Sequence, residues 1–219
     1  MKPIIFARIA NMTYYRGITE WDKPYGGGTY VADTGLAHEC YNFKPEANLT
    51  DDGGEYCLGF VMHGGAAGID AKIHLEKING CEAMKSAELI DDAIVVFCAT
   101  SLGSKSMRVV GFYKNATVYR NTQGINFDTV EGAGIYKQHF NFMAKKEDCV
   151  LLPYTERHSN SQWYVPQKGR LGAKIGFGRS NIWFASGTNE NAELKKYVEN
   201  MIRSVEEYDG ENWIYKEVI

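Results

Sequence analysis

The sequence predicts a single α+β domain in which strand outweighs helix. Three observations point there. Period-2 apolar alternation recurs along most of the chain, short β-branched and aromatic runs punctuate it, and only one segment carries an apolar stripe at helical spacing. At 219 residues, 44% of them apolar and 23% charged, the chain suits one sizeable core and is neither disordered nor fibrous. No internal repeat, low-complexity tract or linker divides it, so residues 1–219 are read as one domain.

The strands are expected at 3–10, 56–62, 93–100, 107–113, 116–120, 135–142 and 149–154, with a hairpin loop at 101–106. Gly111 interrupts the fourth of these and predicts a bulge where the sheet coils. The clear helix follows Thr188 or Asn189 as N-cap. Glu190 and Glu193 fall in its first turn, Leu194, Val198, Met201, Ile202 and Val205 form its stripe, and Gly210 stops it. A weaker helix is predicted within 81–90. Long loops are expected at 19–36, which contains Gly26-Gly27-Gly28, and at 157–179, where glycines alternate with Lys168, Arg170 and Lys174.

Composition restricts the setting. The five cysteines are odd in number and scattered, with no Cys-x-x-Cys pair, so neither a disulfide framework nor a zinc ribbon is indicated, and Cys98 and Cys149 sit in apolar runs as core thiols. The first apolar run meets Arg8 after four residues, too early for a secretory signal, and no run is long enough to span a bilayer. A cytoplasmic location and no membrane partner are therefore expected, and the Asn-x-Thr sequons at Asn11, Asn48 and Asn115 are read as coincidental. The net charge of −3 conceals an asymmetry: residues 101–180 hold twelve Lys and Arg against five Asp and Glu, a local +7 that leaves −10 for the rest. Either one face is built for an anionic partner or the charges scatter and solvate several faces.

Four constellations carry candidate chemistry. His38-Glu39-Cys40-Tyr41-Asn42-Phe43 is the densest. His38 and Glu39 suggest acid–base work, Tyr41 and Asn42 suggest ligand recognition because an amide reads both a donor and an acceptor, and the structural alternative is packing plus backbone bonding. Metal-ligand spacing is missing, and no metal or cofactor is expected. Tyr14-Tyr15-Arg16 offers a stacking wall beside a phosphate contact, or an aromatic pair shared between surface and core. Along 114–120, Lys114, Asn115 and Arg120 are phosphate candidates; alternation sets Ala116, Val118 and Arg120 on one face and Asn115, Thr117 and Tyr119 on the other, which suits a polar groove wall or any exposed strand. Arg179-Ser180-Asn181 follow a basic glycine loop that lacks the Gly-Lys-Ser/Thr ending of a P-loop, and their donors suit a phosphate or a base. Trp163 and Trp183 are cage candidates or core residues. No serine elbow, dinucleotide fingerprint or kinase set is present, so no catalytic residue is assigned.

Two segments, Ala37-His38-Glu39-Cys40-Tyr41-Asn42-Phe43-Lys44-Pro45 and Val110-Gly111-Phe112-Tyr113-Lys114-Asn115-Ala116-Thr117-Val118-Tyr119-Arg120, resemble a bacterial domain found beside HNH nuclease modules. The runs Asp92-Ala93-Ile94-Val95-Val96-Phe97 and Val109-Val110-Gly111-Phe112-Tyr113 are similar to the central hairpin of PUA-like domains, the superfamily of EVE, YTH and SRA-type readers of modified bases. The resemblance implies a curled, mostly antiparallel, barrel-like sheet with flanking helices. Its core would lie mainly in 90–205, with an N-terminal strand and loop as an extension. It also implies a DNA-binding reader that takes a modified, flipped base into an aromatic pocket and directs a nuclease, as in the type IV restriction used for phage defence. On that reading Tyr14, Tyr15, His38, Tyr41, Asn42, Trp163 and Trp183 bind the base. Arg16, Lys114, Asn115, Arg120, Arg179, Ser180 and Asn181 meet phosphates, and the nuclease is a partner or a fused HNH module. The rivals are a hydrolase or nuclease using His38 and Glu39, and a small-molecule-binding module.

Overall fold

Burial on both faces of the central strands organises the molecule. The computed structural model describes residues 1–26, 38–64, 70–101, 103, 106–128 and 135–217. β1 (Ile4–Arg8) and β4 (Leu89–Thr100) run parallel, with Ile4 opposite Ile94 and Arg8 opposite Cys98. Ile5, Ala7, Val95 and Phe97 enter one core, while Ile4, Phe6, Ile94, Val96 and Cys98 enter the other. Strands covered on both sides are written as continuous apolar runs, which is how both segments read in the sequence.

The described strands form one nine-stranded sheet in the order β2-β3-β6-β5-β4-β1-β9. Here β2 is Pro45–Ala47, β3 is Glu55–Gly59, β5 is Met107–Asp128, β6 is Ile135–Lys145 and β9 is Ile182–Trp183. β7 (Cys149–Leu151) and β8 (Tyr164–Val165) also pair with β5. Every pairing except β1 with β4 is antiparallel. The α+β class holds, but the expected barrel does not close. β2 and β9 are the two ends of the sheet, and their brevity limits the exposed backbone edge. β1 is no peripheral extension, since it lies inside the sheet between β4 and β9.

The predicted strands at 107–113 and 116–120 are one long strand. Asn115 and Asp92 adopt left-handed φ values of 48° and 56°, and the register shifts on either side of Ala93 let β4 and β5 continue through a bulge. The bulge expected at Gly111 is present as the shift between Phe97 and Cys98. A Cβ there would stand 2.4 Å from the Val150 carbonyl oxygen and 2.5 Å from the Phe43 ring, so only glycine fits.

Helix α2 (Ala192–Glu206) follows the predicted stripe, burying Leu194, Val198, Met201 and Val205 against the second core with Trp163 and Phe177. Its N-cap is Asn191, whose side chain accepts from the Leu194 N–H, rather than Thr188 or Asn189. The helix predicted within 81–90 does not form: 81–87 are turns and bends, and Leu89 and Ile90 pair with Tyr119 and Val118. A helix of at most ten residues is marginal alone, so sheet pairing wins. The strand expected at 149–154 ends at Leu151, and a short helix, α1 (Tyr154–Ser159), begins after Pro153. No helix among the described residues is long and apolar enough to cross a membrane. All five cysteines are buried free thiols.

Candidate ligand pocket at the ends of β1 and β4

Parallel pairing brings the last residues of β1 and β4, Arg8 and Thr100, to one end of the sheet. Beyond Arg8 the chain runs through Ile9 and Ala10 and pairs Asn11 with Tyr25. Two buried side chains hold that segment. The Asp22 carboxylate accepts from the N–H groups of Thr13 (2.6 Å) and Tyr14 (2.7 Å), and the Arg157 guanidinium donates to the carbonyls of Met12 (2.7 Å) and Thr13 (2.8 Å). Arg157 is 1% exposed, and burial lowers its pKa. Orphan backbone groups in a buried connection need such partners.

Arg8, Ile9, Ala10, Gly26, Glu39, Thr100 and Asn181 line a cavity of about 290 Å³ at this end. Glu39 stands on the 3-10 turn His38–Tyr41 and is only 7% exposed. Its Oε2 accepts from the Ala10 N–H at 3.0 Å, and its Oε1 accepts from the Met62 N–H at 3.2 Å. An ionised carboxylate offers about four acceptor positions, so two remain for a ligand. Burial pushes the Glu39 carboxyl up to about 7 against the opposing pull of the two amides. At neutral pH it therefore both accepts and donates.

Arg8 brings a guanidinium to the same cavity. Arg8 donates through Nε to Asn181 Oδ1 at 3.0 Å and through one terminal nitrogen to the carbonyls of Arg179 (2.9 Å) and Ser180 (3.2 Å). Asn181 in turn donates to the Met62 carbonyl at 2.6 Å, tying this loop to the segment that also holds Glu39. Arg8 and Glu39 thus share a cavity, yet no salt bridge reaches Glu39 among the described residues.

His38 points elsewhere from the same turn. Its ring meets Phe60 at 5.3 Å and His139 at 4.8 Å, both edge-on, and burial with the neighbouring His139 lowers it to about 4, so it is neutral at physiological pH. Among the described residues no group of three or more His, Cys, Asp or Glu side chains is placed to hold a metal ion.

The predicted base-binding residues separate. Tyr15 is fully buried with its hydroxyl on the Ala10 carbonyl, and Trp163 is fully buried with its indole on Glu156; neither presents a face for stacking. Asn42 is also fully buried, accepting from the Phe60 N–H at 2.9 Å and donating to the Phe60 carbonyl at 3.0 Å, so its amide is not presented to a base. Tyr14 stacks on Trp213 at 5.5 Å, and Tyr41 packs beside the first core with the Lys44 ammonium 5.8 Å from its ring. Trp183 stacks on Phe6 at 4.6 Å and lines a separate open groove with Lys168 and Lys174.

Among the phosphate candidates, Asn181 lines the cavity, and Arg179 and Ser180 meet it through backbone carbonyls that accept from Arg8. Arg16 donates to the carbonyls of Trp213 and Ile214, and Arg120 is buried on the Ala87 and Met84 carbonyls and Glu76, so both are structural braces. Asn115 bridges Lys2 and Asp148, and Lys114 precedes it at the bulge. The basic middle disperses accordingly. Arg120 and Arg157 are buried, Lys145 and Lys146 pair with Asp52 and Glu55, and the concentrated remainder is the segment 166–181, with four cations and no acid. The glycine stretch at 27–36 and loop residues 102, 104 and 105 lie outside the described residues.

Arg8 and Thr100 carried no sequence signal as site residues. A charge that ends an otherwise apolar strand was visible at Arg8, but its placement depends on the parallel partner, which periodicity does not reveal. No protein-family model, curated protein or solved structure matches the chain.

Proposed function

We propose that this protein is a nucleic-acid-binding reader that admits one base into the cavity between Glu39 and Arg8. The observation that carries the reading is the buried Glu39 carboxyl, which lines a cavity of about 290 Å³ and, among the described residues, accepts only one N–H on each oxygen. Base edges present amino donors beside ring nitrogens, and a carboxyl near its midpoint of ionisation matches either. Arg8 faces the opposite edge or the attached phosphate, and Arg179 at the rim supplies backbone contact. Recognition thus shifts from Asn42 to Glu39 within one short turn.

A base reaches such a cavity from a single strand or by flipping out of a duplex, at a cost of a few kcal/mol. The resemblance of 37–45 and 110–120 to a domain found beside HNH nucleases, and of 92–97 and 109–113 to PUA-like readers, supports modified DNA as the target and a nuclease as partner or fused module. The test is a salt series of binding to oligonucleotides that differ only in one modified base. The reading expects affinity that falls with salt and a preference for one modification. Equal, undetectable binding to all of them at low salt overturns it.

One observation favours a second reading. A carboxyl held near 7 in a cavity suits general acid–base work, so the site also fits a hydrolase using Glu39. Turnover of a nucleic acid by the purified protein, abolished in Glu39→Gln, would establish it.

A further inference from the structure

Residues 166–177 form a loop that a parallel bridge closes at its root and that carries an exposed leucine at its tip. At its root Gln167 and Phe177 form a bridge, Lys168 N–H donates to the Phe177 carbonyl at 2.8 Å, and Phe177 N–H donates to the Pro166 carbonyl at 3.0 Å. Phe177 is 1% exposed in the second core, and the Arg8 guanidinium lies 5.7 Å from the centre of its ring. The root is therefore joined to the cavity through Arg8 on one side and through 179–181 on the other.

The tip is ordered by its own backbone. Gly169 N–H donates to the Ala173 carbonyl at 2.8 Å, and the N–H groups of Arg170 and Ala173 donate to the Gln167 and Arg170 carbonyls at 3.0 Å. Between them Leu171 adopts a left-handed φ of 52° and is 92% exposed. A leucine is unfavourable there twice over. Left-handed backbone costs a non-glycine residue about 1–2 kcal/mol, and the side chain contributes no burial in return. Glycines at 169 and 172 already supply the turn's other left-handed positions, at φ 81° and 77°. Its neighbours are Lys168, Arg170 and Lys174, and no acid lies between Pro166 and Asn181. The legs Lys168 and Lys174 also line a groove of about 500 Å³ with Trp183, where Glu190 is the one acid.

From this we infer that the loop is an insertion finger for a nucleic-acid duplex. Leu171 enters the base stack beside the nucleotide drawn into the Glu39 cavity, and Lys168, Arg170 and Lys174 hold the flanking phosphates. An apolar wedge among cations is the arrangement by which proteins unstack and kink a duplex. The tip is four residues from Gln167, so it stands at most about 14 Å from the root, which Arg8 joins to the cavity. The inference rests on the base-reader proposal and makes it specific: the substrate is a duplex, opened by the protein, rather than a strand already single.

The experiment compares wild type, Leu171→Ala and Lys168→Ala/Lys174→Ala on one read base placed in a duplex and in a single strand, with 2-aminopurine beside it. Wild type should brighten 2-aminopurine in the duplex. Leu171→Ala should bind the duplex about tenfold more weakly and lose the brightening, while single-strand binding changes less than twofold. Because Leu171 is 92% exposed, the variant should melt with wild type. The double lysine variant should lower the slope of log affinity against log salt by about 2. Unchanged duplex binding and brightening in Leu171→Ala overturns the finger and leaves the reader standing. Binding by wild type to neither substrate overturns both. Leu171-dependent binding to anionic phosphatidylserine vesicles, with none to duplex, assigns the tip to a membrane surface instead and overturns the duplex proposal.

Discussion

Glu39 and Asn42 stand three residues apart, both buried, and both fasten the strand that leads away from β3. Asn42 meets Phe60 donor for acceptor and acceptor for donor, and the rest of its amide is closed inside the core, lining none of the described cavities. Glu39 takes one N–H on each oxygen among the described residues and lines a cavity. Burial of a polar side chain is common to both, so burial does not separate structure from function. Access to a cavity does, and burial raises the Glu39 pKa because two neutral amides do not replace the water a carboxylate loses.

The largest expected effect breaks the closed member of the pair. Asn42→Ala leaves the Phe60 N–H and carbonyl unpaired in the core, at roughly 1–3 kcal/mol each, so urea denaturation should show a loss of about 4 kcal/mol. Glu39→Gln should cost less at low pH and change sign with pH. The folded carboxyl titrates near 7, above its unfolded value near 4.5, so the native state holds the proton more tightly. Its contribution is complete below about 4.5 and is lost as pH rises to 7. Wild-type stability relative to Glu39→Gln should therefore fall by about 3 kcal/mol across that window. His38 runs the other way. Its folded value near 4 lies below the ordinary 6.5, so its contribution is absent in acid and grows as pH rises to 6.5. The two neighbours partly cancel in wild type, and Glu39→Gln should expose the rising limb in denaturation followed from pH 4 to 7. The smallest effect is at the rim: Arg179→Ala should leave stability unchanged within about 0.5 kcal/mol and reduce the salt slope of oligonucleotide binding by about 1.

Local chemistry was legible in the sequence where one segment decides its own conformation. The stripe of α2, the bulge at Gly111 and the two-sided burial of 4–7 and 94–98 are examples. What depended on a distant partner was not. The parallel pairing of β1 with β4, the open ends of the sheet and the burial of Arg120 and Arg157 are set by which segments meet. The site followed the same division. The turn carrying His38, Glu39 and Asn42 and the segment 179–181 stood out by residue type, but the choice of Glu39 over Asn42 needed the positions of Ala10, Met62 and Phe60. The aromatic candidates misled for a physical reason: Tyr15 and Trp163 bury large apolar rings with satisfied polar tips, the commoner fate of such residues in a two-core sheet protein.

The most direct test of the central claim is discrimination measured by fluorescence anisotropy, at one pH and salt, for wild type and Glu39→Gln on duplexes that differ in one base. A reader that recognises the base through Glu39 predicts that wild type prefers one duplex at least tenfold and that Glu39→Gln, folded, binds all of them alike. An unaltered preference in Glu39→Gln would contradict it.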